Sequence, residues 1–383
     1  MGPKARREYI RRVAQRYKRA SCIKAKTKMI IEVQENTGYH RKHIIRLLND
    51  PPPKNKPKQK RKRSAIYGSQ VIKALMVVWN AADYACAQLV HPRMAEWLKC
   101  LEYHGHLQID IQTKQLMLQM SRSTMERIFA RHRHLRPRNR YFPRKRSRSI
   151  LAKAIPVEVL PEPAFEPGYI DTDIVQHDGG DSSGVYINTV NFKDRYSFWI
   201  CRLAIWGKRK DRVLAAVTKA SHNAPFKWLQ LHFDGGGEFV NYRLVGHCKR
   251  NNIAYTRSRP YKSNDNARIE NSNRYDVRRC LGHRRLDKPH LLELILRLYL
   301  LSDLYYNFFH AAKRLTQTQI VLIDDRKYRR KYYDNPETPY KRLVACRSVS
   351  KADKAQLTRT YNKLDPLTLL TQIRQLILTI RDS

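Results

Sequence analysis

The chain has 383 residues, 42% of them hydrophobic, which is too long for one ordinary domain and apolar enough for real cores, so disorder is not the default. Lysine and arginine number 76 against 33 acids, a formal charge of +43. Such an excess repels itself unless something anionic neutralises it. Polyanion binding is therefore the natural reading, set against a merely solvated basic surface or a ribosome-like RNA binder. The seven cysteines are scattered, odd in number and never in C-x-x-C. This argues against a disulfide scaffold and a thiolate zinc site and for a reducing compartment. The start, MGPKARREYIRR, has no apolar core for export. The most apolar run, 291–309, is interrupted by Glu293, Arg297 and Asp303 and reads as a buried amphipathic helix rather than a membrane span. A soluble, intracellular protein without membrane partners is expected.

In chain order, residues 5–49 show three helical patterns. The third, HRKHIIRLLN, offers Ile44, Ile45, Leu47 and Leu48 inward and Arg41, Lys42 and Arg46 outward. Helix, turn and basic helix predict a DNA-reading helix-turn-helix over 1–50, the bland alternative being a helical bundle with a wet basic face. His40 and His43 lack two further ligands nearby and suit a helix surface better than a metal. Residues 51–65 form a basic Pro/Lys linker. A second helical, helix-turn-helix-like domain follows over 66–134, in which Ser121 or Ser123 can cap a helix carrying Met125, Ile128 and Phe129. Residues 135–164 are another basic connector.

At about 165 the period changes. YIDTDIVQH, GVYINTVNF and SFWICRLAI read as three strands, with turns at Gly179–Gly180 and Lys193–Asp194. A helix over 208–222, a strand WLQLHFD, a helix over 237–251 and a strand IAYTRS come next. Helices over 267–282 and 289–311 complete an α/β domain, 165–312, with a mixed five-stranded sheet. The remainder, 313–383, has a basic segment RKYRRKYY and then helical patterns, and is expected to be a small, mostly α region.

Three carboxylates stand out. Asp234 ends an apolar strand and is followed by three glycines, which permits close approach of a phosphate or metal; its plainer reading is the start of a turn. Glu270, separated from Asp234 by thirty-five intervening residues, is one acid among Arg268, Arg274, Arg278 and Arg279, although it could simply pair with Arg274 at i+4. Asp171 and Asp173 lie two apart on one strand and project to the same face, so geometry alone does not choose between them. Asp178, beside Gly179–Gly180, is better suited to a turn. Like charges about 4 Å apart repel by roughly 4 kcal/mol at an effective dielectric near 20, so converging carboxylates either take up protons or hold divalent cations. An all-oxygen set favours Mg²⁺ or Mn²⁺. Two such ions can activate an attacking oxygen and stabilise a leaving one.

The segments PGYIDTDIVQHDGG, HFDGGGEFVN and RSRPYKSNDNARIE, in that order, resemble the catalytic core of retroviral-type integrases and related insertion-sequence transposases. TGYHRKHIIRLLN and NPETPYKRLVA extend the resemblance to most of the chain. It implies a ribonuclease-H-like core with Asp173, Asp234 and Glu270 as the Asp, Asp, Glu triad. It implies a Mg²⁺- or Mn²⁺-dependent enzyme, with two ions, that cuts at the ends of a mobile element and joins the 3′-hydroxyl to target DNA. The loop and helix around Glu270 would contact DNA through Arg257, Arg259, Lys262, Asn264, Asn266, Arg274 and Arg278. The chain departs from the family pattern at Gly235 and Ala267, both small residues that remove no ligand. Partners would be terminal-repeat and target DNA and further copies of the chain, in a cytoplasmic, nucleoid-associated setting if the source is bacterial. The competing readings are an inactive derivative acting as a DNA-binding regulator and a ribonuclease-H-like nuclease that does not join strands.

Overall fold

The computed structural model describes residues 1–53, 66–135, 164–233, 239, 241–258, 267–323 and 326–383. The chain divides into two compact units, Met1–Ile66 and Tyr67–Ser383.

The first unit is three helices, α1 (Pro3–Arg19), α2 (Ile23–Thr37) and α3 (Arg41–Asn49). Proline opens α1, where its missing N–H is harmless, and Arg16, Lys18 and Arg19 close it against the negative end of the helix dipole. Gly38, in the left-handed region at φ 68°, ends α2 and lets the chain turn sharply into α3. Ile10, Val13, Ile30, Val33, Ile44 and Leu48 make a small shared core. Arg41, Lys42 and Arg46 stand on the exposed side of α3.

The second unit is built on a mixed five-stranded sheet of β1 (Tyr169–Gln176), β2 (Ile187–Asp194), β3 (Ile200–Trp206), β4 (Gln230–Phe233) and β5 (Ala254–Arg257), in the order β3-β2-β1-β4-β5. β1, β2 and β3 are antiparallel, whereas β4 and β5 run parallel to β1. Parallel neighbours need crossovers. Two helices provide them, α9 (Lys210–Asn223) and α10 (Tyr242–Arg250), which in a chain-order count follow five helices described below. Alternation along β1 sends Ile170 and Ile174 into a core with Val213, Val217 and Leu244 of those helices. Asp171 and Asp173 face the other way. That opposite face carries α11 (Ala267–Ser272), a π turn (Asn273–Val277), α12 (Arg278–Leu281) and α13 (Leu291–Phe308).

α13 buries Leu291, Ile295, Leu298, Ser302 and Tyr305, a stripe at alternating spacings of four and three. On one side it meets β3: Asn307 Nδ2 donates to the Ile200 carbonyl at 2.9 Å, and the Ile200 amide donates back to Asn307 Oδ1 at 2.8 Å. On the other it joins a large apolar core. That core includes α4 (Ser69–Ala81), α5 (Ala87–Val90), α6 (Met94–Tyr103), α7 (Ile111–Gln119) and α8 (Arg122–Arg131). It also includes α14 (Pro339–Ala345), α15 (Lys351–Lys363) and α16 (Pro366–Asp382). Trp79 stacks on Phe129 at 4.3 Å, and Tyr305 donates to the Ala81 carbonyl at 2.9 Å. Ser121 caps α8, accepting from the Thr124 amide at 3.3 Å.

The structure departs from the sequence-based expectation in three places. The helix expected over 237–251 begins only at Tyr242, where Asn241 Oδ1 accepts from the Leu244 amide at 2.8 Å. The helix expected over 267–282 is interrupted by the π turn. The basic segment after 313 is an antiparallel hairpin, β6 (Leu315–Ile323) with β7 (Arg326–Tyr333). Among the described residues no helix is long and apolar enough to cross a membrane.

Candidate active site

The two aspartates that the sequence leaves equivalent have different surroundings. Asp171 is 1% exposed and receives the Arg195 guanidinium, Nε to Oδ1 at 2.9 Å, from the turn between β2 and β3. Arg268 of α11 stands further off, at 3.9 Å from its other oxygen. A carboxylate buried against a buried guanidinium is a structural ion pair, and its removal would leave an uncompensated charge. Asp173 is half-buried. Its Oδ1 accepts from the Ile174 amide at 2.8 Å and its Oδ2 from Asn273 Nδ2 at 2.6 Å.

Asn273 is the first residue of the π turn and lies three positions after Glu270. A π turn holds an extra residue per hydrogen-bonded ring and is often found at functional sites. Here Asn273 and Asp276, with Ser272 just before the turn, converge on the sheet. Asn191 of β2 donates to Asn273 Oδ1 at 2.8 Å and to Ser272 Oγ at 3.0 Å. Ser272 in turn donates to Asp276 Oδ2 at 2.6 Å, and Lys193 of β2 donates to the same oxygen at 3.3 Å. Burial works against the charge of Asp276, but Lys193, Arg202 and the Ser272 hydroxyl outweigh it and hold the carboxyl below its usual range. The amide of Asn273 is thus oriented from behind, so that its NH₂ group points to Asp173. Asn273, Asn191 and Asp276 were not singled out in the sequence. The signal that could have found Asn273 is its i+3 spacing from Glu270, which puts neighbours on one side of a helix.

Glu270 is half-buried on α11, which packs against β1 and β2. Ile269 beside it is 1% exposed and anchors the helix. Asp234 lies outside the described residues. The strand leading to it ends at Phe233, paired in register with Thr172, the residue before Asp173. Arg259, Lys262, Asn264 and Asn266 also lie outside the described residues. Among the described residues no three His, Cys, Asp or Glu side chains converge as a metal site.

Of the remaining basic candidates, Arg257 is the last residue of β5 and is 7% exposed. Arg274 is exposed, with its guanidinium 5.6 Å from the Tyr275 ring. Arg278 turns to the sheet and donates to the Gln176 carbonyl at 2.7 Å and the Gly282 carbonyl at 3.2 Å. A regular helix would put Arg274 and Arg278 on one face. The π turn between them offsets the register, leaving one in solvent and the other against β1. Near that contact His177 is fully buried and bonded to Thr189 Oγ1 at 2.8 Å. Burial, helped by Arg278, His283 and Arg284, pushes its pKa well below the ordinary histidine value and keeps the ring neutral.

No protein-family model matches the chain. Among solved structures, the catalytic core domain of BIV integrase is similar at 18% identity and a TM-score of 0.24. That match spans 28% of this chain and 64% of that domain, less than two thirds of its length. In sequence, an uncharacterized protein of Sinorhizobium fredii, y4rM, is 32% identical over 317 residues, which cover 82% of this chain and 88% of y4rM. At that identity and coverage the chain belongs to the family of y4rM.

Proposed function

We propose that the protein is a DNA transposase or integrase with a ribonuclease-H-like core, in which Asp173, Asp234 and Glu270 act together. The strand order β3-β2-β1-β4-β5, three antiparallel strands followed by two parallel to the first, supports that core. The observation that carries the reading is the Asn273–Asp173 hydrogen bond. It ties the helical segment bearing Glu270 to the half-buried carboxylate on the central strand, in the register row next to the end of β4. Asp171, the rival on the same strand, is committed to Arg195.

The donor set fits a hard divalent cation. All three side chains are carboxylates, and an oxygen-only set suits Mg²⁺ or Mn²⁺. Asp173, Asp234 and Glu270 would hold the ions, which supply activation of an attacking oxygen and stabilisation of a leaving one. The protein's own part is to fix the Asp173 carboxylate through Asn273 and the Ile174 amide. The excess of cations over the chain would grip the phosphates on either side of the scissile bond. Water or a DNA 3′-hydroxyl attacks in line, with no covalent protein intermediate. Joining needs two ends held together, so the working form is a homo-oligomer on DNA.

The test is strand cleavage and joining by purified protein with Mg²⁺ or Mn²⁺ and labelled duplexes carrying the ends that flank its gene. Joined products are expected from the wild type and lost in Asp173→Asn, Asp234→Asn and Glu270→Gln, with Asp171→Asn losing fold stability rather than chemistry alone. Cleavage without joining would favour a nuclease, and undiminished activity in all three variants would sink the assignment.

A further inference from the structure

The hairpin of β6 and β7 stands apart from the packing logic of the rest of the unit. Among its described side chains none is buried. Two strands alone in water are marginal at best. This pair also carries five cations in the eight residues of β7, Arg326 to Tyr333, with no acid in either strand and two aspartates, Asp324 and Asp325, in the sequence that joins them. Its root, by contrast, is firmly held. The Arg314 amide donates to Asp334 Oδ1 at 2.6 Å, the Asp334 amide donates back to the Arg314 carbonyl at 3.0 Å, and buried Arg342 of α14 pairs with Asp334 at 3.0 Å. The Arg314 guanidinium also lies 4.6 Å from the Tyr196 ring. A basic ribbon, about 30 Å long at roughly 3.3 Å per residue, is anchored at one end.

Register sorts its side chains. Rungs Gln319–Arg330 and Gln317–Tyr332 share a face. There the Tyr332 hydroxyl donates to Gln319 Oε1 at 2.9 Å, and the Arg330 guanidinium lies 5.4 Å from the Tyr332 ring. The Thr318–Lys331 rung belongs to the opposite face, and both cations are exposed. A ribbon laid flat on a polyanion would need cations on one face only. Cations on both faces suit a partner with phosphates on both sides. The major groove of duplex DNA, about 12 Å wide and walled by two phosphate backbones, admits a two-stranded ribbon, whereas the deep, narrow major groove of A-form RNA does not.

We propose that the β6–β7 hairpin is a second DNA-binding element, inserted as a ribbon into a groove of duplex DNA with Arg330 and Lys331 on opposite phosphate walls. The inference rests on charge and ribbon geometry and stands whether or not the carboxylates carry chemistry.

It is tested by fluorescence anisotropy of the full chain with a thirty-base-pair DNA duplex of arbitrary sequence, in metal chelator so that cleavage plays no part. The Arg330→Glu/Lys331→Glu double variant is expected to bind at least tenfold more weakly. The slope of log affinity against log salt should fall by about 2, at about 0.9 per lost phosphate contact. The control is Arg359→Glu/Lys363→Glu, an equal charge change on the exposed side of α15. It should bind nearly as the wild type, and thermal unfolding of all three proteins should agree. Wild-type affinity and salt slope in the hairpin variant would overturn the proposal. So would equal weakening by the control, or duplex RNA bound as tightly as DNA. Loss of self-association with DNA affinity intact would reassign the ribbon to contacts between copies.

Discussion

Asp171 and Asp173 are one chemical type, two residues apart on one strand face, and differ in what the rest of the fold sends to meet them. Arg195 and Arg268 approach the first, and an amide held by Asn191 approaches the second. Under the proposed function, Asn273 is a positioning residue for Asp173. Asn273→Ala should lower metal affinity and strand-joining activity by roughly 10- to 100-fold, as is usual when the partner of a ligand is removed. Metal titration followed by calorimetry checks it, and Asn273→Gln should recover less than half of the loss because its longer arm overshoots. Unaltered metal affinity in the alanine variant would assign Asn273 to packing alone. The candidate carboxylates were legible in the sequence as types at spacings. The choice between Asp171 and Asp173 was not legible from periodicity, because their partners are contributed by a turn 24 residues away and a helix 100 residues away.

At the scale of elements, one fully buried guanidinium joins β3 to α13 alongside the Asn307 bonds. Arg202 donates from Nε to Asp303 Oδ1 and from Nη2 to Ser302 Oγ, both at 2.7 Å, and stands 4.9 Å from the Tyr299 ring. Burial pushes the Asp303 carboxyl up to about 6 even with Arg202 opposing it. A buried pair of this kind adds little over a well-packed apolar one, but breaking it strands a charge. Asp303→Ala should therefore cost about 3–5 kcal/mol in urea unfolding, while Arg202→Met/Asp303→Leu should recover much of that. A double variant no more stable than the single one would mean the pair is not the source of the cost. The strands and most helices were legible because their apolar periods are regular. The β6–β7 hairpin was not, since a solvent-exposed ribbon needs no apolar alternation and its lysines and arginines read only as a basic segment. The π turn left no signal either: one extra residue in a turn changes direction without changing composition.

On the scale of the whole molecule, the positive charge is distributed over elements rather than held in one tail. It appears on α3, on the segment after Glu270 and on the β6–β7 ribbon. The first unit has its own core of a few aliphatic side chains, a size at which single domains are marginal. The second unit is built otherwise. Its early helices α4 to α8 close their apolar core only with α13 and the last three helices of the chain. That shared core has a consequence for fragment complementation. Residues 67–135 and 164–383, produced as separate polypeptides in one cell, should assemble into a stoichiometric non-covalent complex with the intact unit's circular dichroism. Residues 67–135 alone should aggregate, because Trp97 would lose the Phe309 ring stacked 6.2 Å away and α4 would lose the cover of α16. Size-exclusion chromatography decides it, and a monodisperse, folded 67–135 fragment on its own would refute the expectation. The early helices and the late ones are, in this sense, two halves of a single apolar core between which the chain stores its sheet.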